Sequence, residues 1–184
     1  MQKKDILRKK YFSIRKKKYF EITSAFFYPL IKLIQKKYHK KNINLSSYYP
    51  SSFEVNALRL LDIKFKNKIK IFLPVLKNNN LMNFYQWNNN DILKVNKFGM
   101  LEPFTELNRV IPSIMLVPLL AFDNKKNRLG YGKGFYDRYL KKYLNKNKHI
   151  LTIGIAFSFQ KHHKLPVSNF DIQLNYILTE KGIF

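Results

Sequence analysis

Residues 113–144 read "SIMLVPLLAFDNKKNRLGYGKGFYDRYLKKYL", and the order of features in this stretch decides the fold class. The apolar run from Ile114 to Leu120 predicts a buried strand. The turn region "FDNKKN" follows, then a loop with a glycine at every second position. "FYDRYLKKYL" then has the spacing of an amphipathic helix. The chain has only six glycines, and Gly130, Gly132 and Gly134 are three of them.

Working outward, strands and helices alternate. Residues 3–19 predict a helix whose inner stripe is Leu7, Tyr11 and Ile14. Lys4 and Arg8 stand four apart and share a face, which by itself means a solvated face. A second helix is expected over residues 24–38, with Pro29 as a kink or boundary. "INLSSYYP" suggests a strand entering a loop. "SSFEVNALRLLDIKF" suggests a serine-capped helix with Val55, Leu58 and Leu61 on one side. "KIKIFLPVL", "HILTIGIAFS" and "LNYILTE" read as strands, while residues 78–108 are Asn-rich and yield only "LMNFYQW" as a strand. The expected architecture is α/β: a single three-layer α/β/α domain over residues 1–184 with a mainly parallel central sheet.

Composition narrows the function classes. At 184 residues and 46% apolar content the chain is long and apolar enough for a core despite its charge. No cysteine is present, which excludes disulfides and cysteine zinc sites. The net charge of +24 raises a nucleic acid partner, since clustered cations bind phosphates by counterion release. The lysines, however, are spread along the chain beside abundant Asn, Ile, Phe and Tyr. All have AT-rich codons, so compositional bias gives the same charge. No apolar run is long enough to span a membrane, and the basic N-terminus lacks the apolar segment of a signal peptide. A cytoplasmic monomer is expected.

An apolar strand leading through glycines into a helix is the setting in which backbone amides and a helix N-terminus hold phosphate. Arg128 and Lys133 add charge. The spacing matches neither the dinucleotide fingerprint G-x-G-x-x-G nor the P-loop G-x-x-x-x-G-K-[ST], so a plain tight turn stays open. Asp137, in the first helical turn, reads either as a helix-dipole carboxylate or as a metal ligand. A carboxylate beside polyphosphate is repelled unless a cation lies between them, and magnesium commonly bridges the two.

The stretch "VPLLAFDNKKNRLGYGKGFYDRYL" resembles the signature of the 5-formyltetrahydrofolate cyclo-ligase family, V-P-x-x-A-F-D-x-x-G-x-R-L-G-x-G-x-G-[FY]-Y-D-R. "KKDILR", "YYPSSFEVNAL", "KIKIFLPVL", "GMLEP" and "LPVSNFDIQLNYIL" are similar to further family segments in the same order. The resemblance implies an ATP- and magnesium-dependent conversion of 5-formyltetrahydrofolate to 5,10-methenyltetrahydrofolate, with ADP and phosphate as co-products. The formyl oxygen would take the γ-phosphoryl group, and nitrogen 10 of the folate would displace phosphate.

By the same resemblance Lys4 and Arg8 reach ATP phosphates from the first helix. Arg128, Leu129, Gly130, Tyr131, Gly132, Lys133, Gly134, Phe135 and Tyr136 line ATP, with Arg128, Lys133 and Tyr136 nearest the chemistry. Asp137 and Asp171 hold magnesium. Tyr49, Glu54, Phe98, Gly132 and Tyr136 meet the folate, with Glu54 on pterin N–H donors. From the residues alone, Glu54 after Ser51 and Ser52 reads as a helix N-terminal carboxylate.

The chain departs from the family pattern at two positions. Lys126 stands where the family has a turn glycine, so Asn124 or Asn127 is expected to take the positive φ. Asn175 replaces a frequent acidic residue. Lys133 occupies a variable position. The rival readings are a basic RNA-binding protein, which lacks any RRM or KH motif here, and an ATP-binding relative without turnover. Retention of Lys4, Arg8, Glu54, Asp137 and Asp171 argues against the second. The expected partners are small molecules, ATP and a folate that can carry a polyglutamate tail; nucleic acid and membrane are not required.

Overall fold

In the computed structural model, residues 2–38, 42–64, 68–78, 81–144 and 149–184 are described. Eleven strands are named here: β1 (Ile43–Ser46), β2 (Ile69–Leu76), β3 (Met82–Gln86), β4 (Leu93–Val95), β5 (Leu101–Pro103), β6 (Ile114–Pro118), β7 (Ala121–Phe122), β8 (Arg128–Leu129), β9 (Leu151–Ile155), β10 (Tyr176–Thr179) and β11 (Gly182–Ile183). Seven of them form the central sheet in the order β11-β10-β9-β6-β1-β2-β3. The pairs from β10 through β2 are parallel, whereas β11 and β3 pair antiparallel at the two edges. The expected mainly parallel sheet is therefore present.

Alternation along the strands supplies both faces of the sheet, because successive side chains point oppositely. Ile114 and Leu116 of β6 join one apolar cluster and Met115 and Val117 the other. The first cluster is closed by Leu30, Ile31 and Ile34 of α2 (Tyr28–Lys37). The second is closed by Tyr139 and Leu140 of α3 (Phe135–Leu144). Helix, sheet and helix thus make the three layers. Pro29 falls in the first turn of α2, where its missing N–H costs nothing, so it opens the helix rather than kinking it.

The first helix, α1 (Gln2–Lys18), covers neither face. It lies across the end of the sheet, where Tyr11, Leu7 and Ile14 pack on Leu120, Ala121 and Leu129. Those partners come from the small hairpin β7–β8, in which Phe122 pairs with Arg128. Only Tyr11 and Arg15 are buried within α1. The helix is therefore held by few apolar contacts and by the polar ones described below.

Two expectations need correction. Residues 51–64 do not form a serine-capped α-helix. Ser52 and Phe53 take φ of 49° and 64°, and a short 3-10 helix over Ala57–Asp62 follows, capped by Asn56, whose side chain accepts from Leu58 N. The last residue of the expected helix, Phe65, lies outside the described residues. The turn before Arg128 does not rely on Asn124 or Asn127 either: Lys126 itself takes φ 62°. Asp123 makes this turn. Its carboxylate accepts from Lys125 N, Asn127 N and Asn127 Nδ2 and, across the chain, from Leu165 N. These four bonds hold the lysine in a conformation that favours glycine.

Candidate functional site

Four segments meet beyond the C-terminal ends of β1 and β6: α1, residues 48–54, the glycine loop 130–134, and residues 168–172. Parallel α/β sheets present their ligand sites at such ends. Lys4, Arg8, Tyr11 and Arg15 form one stripe of α1, since steps of three and four residues return to the same face.

Arg8 Nε donates to the Gly130 carbonyl at 3.0 Å, and its Nη1 donates to Asp5 Oδ1 at 2.5 Å. A Cβ at Gly132 would lie 3.1 Å from Arg8 Cζ, and the residue takes φ 96°. The guanidinium thus occupies the space of the side chain that Gly132 lacks. Gly134 also has positive φ, at 66°. A Cβ at Gly130 would meet nothing within 4 Å, so the protein leaves that surface of the loop open. Lys4 Nζ meets Asp171 Oδ2 at 2.5 Å. Lys4 and Arg8, two of the three cations of the stripe, thus reach residue 171 and the glycine loop, while Arg15 turns to other partners.

Arg128 ties the far side of the loop together. Its Nη2 donates to Asp137 Oδ1 at 2.7 Å and its Nη1 to the Ile172 carbonyl at 2.9 Å. Ile172 N donates to the same Asp137 oxygen at 3.0 Å. Asp137 therefore lies against the peptide that joins Asp171 to Ile172. Asp171 Oδ2 also accepts from Ser168 N and Oγ at 2.7 and 3.0 Å. Burial works to raise the Asp171 carboxyl, but Lys4 and the Ser168 donors outweigh it, and its pKa falls below the usual value.

Among the described residues, no hydrogen bond reaches Asp137 Oδ2 or Asp171 Oδ1. Each of these oxygens is a hard donor of the kind that magnesium takes alongside phosphate oxygens and water. No cluster of three or more His, Asp or Glu side chains occurs among the described residues.

Glu54 is 7% exposed. One of its oxygens, Oε2, accepts from Ser51 N at 2.9 Å, and the other, Oε1, accepts the Tyr131 hydroxyl. Burial raises its pKa, while Tyr131, Arg15 and Ser51 act in the opposite direction. Arg15, 1% exposed, donates to the Tyr131 hydroxyl at 2.7 Å, the Ser52 carbonyl at 2.8 Å and the Leu119 carbonyl at 3.2 Å. Tyr131 as a residue is 43% exposed, yet its hydroxyl sits between two buried partners.

Tyr136 keeps its hydroxyl buried and, among the described residues, without a hydrogen bond. Burial pushes that phenol up, with the Glu54 charge adding and Arg128 opposing. Phe98, on the turn between β4 and β5, sits edge-on to Phe135 at 5.8 Å and under Lys133 Nζ at 5.6 Å. Leu129 is buried in the hairpin and contributes backbone, its carbonyl accepting from Leu120 N. Tyr49 is half-buried; its neighbour Tyr48 is the one tied down, donating to the Val55 carbonyl at 2.9 Å. A cavity of about 450 Å³ lies elsewhere, lined by Lys37, Lys126, His149 and Tyr176 at the starts of β9 and β10.

Arg15 escaped the sequence reading. Its signal was the placement of a cation on the stripe that carries Tyr11 and Arg8, but in so basic a helix that signal is masked. Nothing in the sequence pairs Tyr131 with Glu54, since 77 residues separate them.

The sequence model of the 5-formyltetrahydrofolate cyclo-ligase family matches residues 2–180. A curated relative, the 5-formyltetrahydrofolate cyclo-ligase of Haemophilus influenzae, is 33% identical over 141 residues, covering 73% of this chain and 74% of the relative. The NMR structure of Aquifex aeolicus 5,10-methenyltetrahydrofolate synthetase aligns with a TM-score of 0.71 at 30% identity, over 98% of this chain and 91% of that one. The 5,10-methenyltetrahydrofolate synthetase structure from Mycoplasma pneumoniae, at 24% identity, has the same fold with a TM-score of 0.72 over 96% of this chain and 98% of that one.

Proposed function

This chain belongs to the 5-formyltetrahydrofolate cyclo-ligase family, and from that premise we propose how its own residues carry the reaction. It converts 5-formyltetrahydrofolate to 5,10-methenyltetrahydrofolate, and the family is ATP-dependent. The whole chain acts as one domain in this reading.

An amide oxygen is a poor leaving group and phosphate a good one, which explains the need for ATP. The formyl oxygen attacks the γ-phosphorus and ADP leaves. Nitrogen 10 then attacks the formyl carbon. Phosphate departs with the former formyl oxygen, and the proton of nitrogen 10 is released to solvent. Catalysis of such transfer is chiefly positioning and charge stabilisation.

Lys4 and Arg8 neutralise phosphate charge from α1, and the amides of the glycine loop cradle the phosphates. Gly130 leaves room for that approach. Arg128 fixes Asp137 and supplies positive charge close to the transferring group. Lys133 adds a mobile cation. Tyr136, whose hydroxyl has no partner among the described residues, donates to the substrate between phosphate and folate. Asp137 Oδ2 and Asp171 Oδ1 would hold magnesium, which when bound neutralises and orients the polyphosphate. Glu54 accepts the pterin N–H groups, and Phe98 with Tyr49 flanks the folate.

The single observation that carries this reading is the contact of Arg8 with Gly130, which sets the α1 cations over the glycine loop. The test is an absorbance assay for methenyltetrahydrofolate, with purified protein and 5-formyltetrahydrofolate, with and without magnesium and ATP. Product that depends on both supports the reading. No product from folded, ATP-binding protein overturns it.

A further inference from the structure

We propose that Tyr131 couples the two substrate sites: it rides on the phosphate loop between Gly130 and Gly132, and its hydroxyl bridges Arg15 to Glu54. This rests on the assignment of Glu54 to the folate and of the loop to ATP. The Tyr131 hydroxyl rests against Glu54 in this arrangement of the loop, so ATP phosphates that hold the loop in it also hold the carboxylate that receives the pterin.

Three observations support the coupling. First, the bridge has a fixed end. Arg15 is buried and held by the Leu119 and Ser52 carbonyls as well as by Tyr131, so it does not follow the loop. Its guanidinium also lies 5.5 Å from the centre of the Tyr131 ring, which adds a cation–π contact. Second, the other end sits on a glycine-flanked segment, with Gly132 and Gly134 at positive φ. Third, Glu54 needs the hydroxyl. A buried carboxylate is costly unless donors satisfy it. On Oε1 the only donor among the described residues is Tyr131, whereas Oε2 takes Ser51. Each carboxylate oxygen accepts two hydrogen bonds, so Oε1 retains a place for a pterin N–H while Tyr131 stays bound.

Tyr131 is thus a positioning residue for folate, acting through Glu54, as well as part of the phosphate loop. The expected signature is positive linkage between the two substrates, and linkage is reciprocal. Calorimetric titration of 5-formyltetrahydrofolate would be run with and without a non-hydrolysable ATP analogue and magnesium. In the unaltered protein the analogue should tighten folate binding about fivefold or more. In Tyr131→Phe, which keeps the ring and removes one oxygen, folate should bind about tenfold more weakly and the enhancement by the analogue should fall to near unity.

Retained enhancement in Tyr131→Phe overturns the coupling, as does the absence of enhancement in the unaltered protein. Glu54→Gln, measured alongside, separates this from the parent assignment. If that variant binds folate normally, the folate reading of Glu54 fails and the bridge fails with it. If it loses folate while Tyr131→Phe keeps full enhancement, only the bridge fails.

Discussion

Arg8 Nε and the Gly130 carbonyl meet at 3.0 Å across 122 residues of chain. Because the guanidinium fills the space over Gly132, that residue is bound to be glycine twice over, by conformation and by contact. Gly132→Ala should strain the backbone by about 1–2 kcal/mol and push Arg8 off the loop. We expect KM for ATP to rise roughly tenfold, with a smaller change in KM for the folate. Steady-state kinetics with each substrate varied will show the split, and an unchanged KM for ATP would remove Arg8 and Gly132 from the phosphate site.

Glu54 gives a pH dependence with a definite sign. Its folded pKa lies above the ordinary carboxylate value because burial opposes the charge. As pH falls, Glu54 therefore takes up a proton earlier than an exposed glutamate does, and it then accepts fewer pterin N–H bonds. KM for 5-formyltetrahydrofolate should rise on the acid side, beginning above the usual carboxylate range. For Glu54→Gln the affinity should be weak and flat over the same range. A variant profile that still tracks the unaltered enzyme would assign the titration to another group.

Asp137→Asn should separate chemistry from folding. Asparagine keeps an oxygen for Arg128 Nη2 and Ile172 N, so the local bonds of the loop survive. What it loses is the charge and the free carboxylate oxygen that suits magnesium. Turnover is expected to fall by about a hundredfold or more, with a Tm near that of the unaltered protein. Undiminished magnesium-dependent turnover would take Asp137 out of the metal site.

Lys126 holds φ 62° in a turn closed by Asp123, where a residue without a Cβ fits better. Lys126→Gly should raise unfolding free energy by about 1 kcal/mol, reduced by loss of the Lys126 contact with the Tyr176 ring. The midpoint of urea unfolding reports it. A lower midpoint would mean that the ring contact and chain entropy outweigh the backbone strain.

The glycine loop and α3 were legible because their signals are local: an apolar run, glycines, then a stripe of period 3.6. The parallel order followed from alternating strands and helices. Residues 51–56 were not legible. Their apolar spacing suits a helix, but Glu54 turns back to take the Ser51 amide and the chain enters left-handed conformations at Ser52 and Phe53. Tertiary bonding from Tyr131 and Arg15 decides that geometry, and it carries no local signature. The β4–β5 hairpin was hidden for a different reason. Asn96 shapes it by accepting from Phe98 N and Met100 N, a role that composition alone reads as generic loop. Arg128 was assigned to the phosphates from its place in the motif; that it first clamps Asp137 and Ile172 needed coordinates.

The charge of +24 has a kinetic consequence that composition bias does not preclude. Polyglutamylated folate carries extra negative charge, and attraction between opposite charges raises encounter rates. Relative to the monoglutamate, kcat/KM for the polyglutamate should be several-fold higher at low salt, and the advantage should shrink as ionic strength rises. Equal values at low salt would leave the charge without a role in capture.

The pairing of Lys4 with Asp171 spans 167 residues. Ribosomes add about 5–20 residues per second, so Lys4 is made roughly 8–33 seconds before the aspartate that receives it. During that interval Arg15 too waits for the Leu119 carbonyl and the Tyr131 hydroxyl. Nascent fragments accordingly contain recognisable pieces of the nucleotide cradle but no assembled one. Chains that stop before residue 171 therefore lack the Lys4–Asp171 contact altogether.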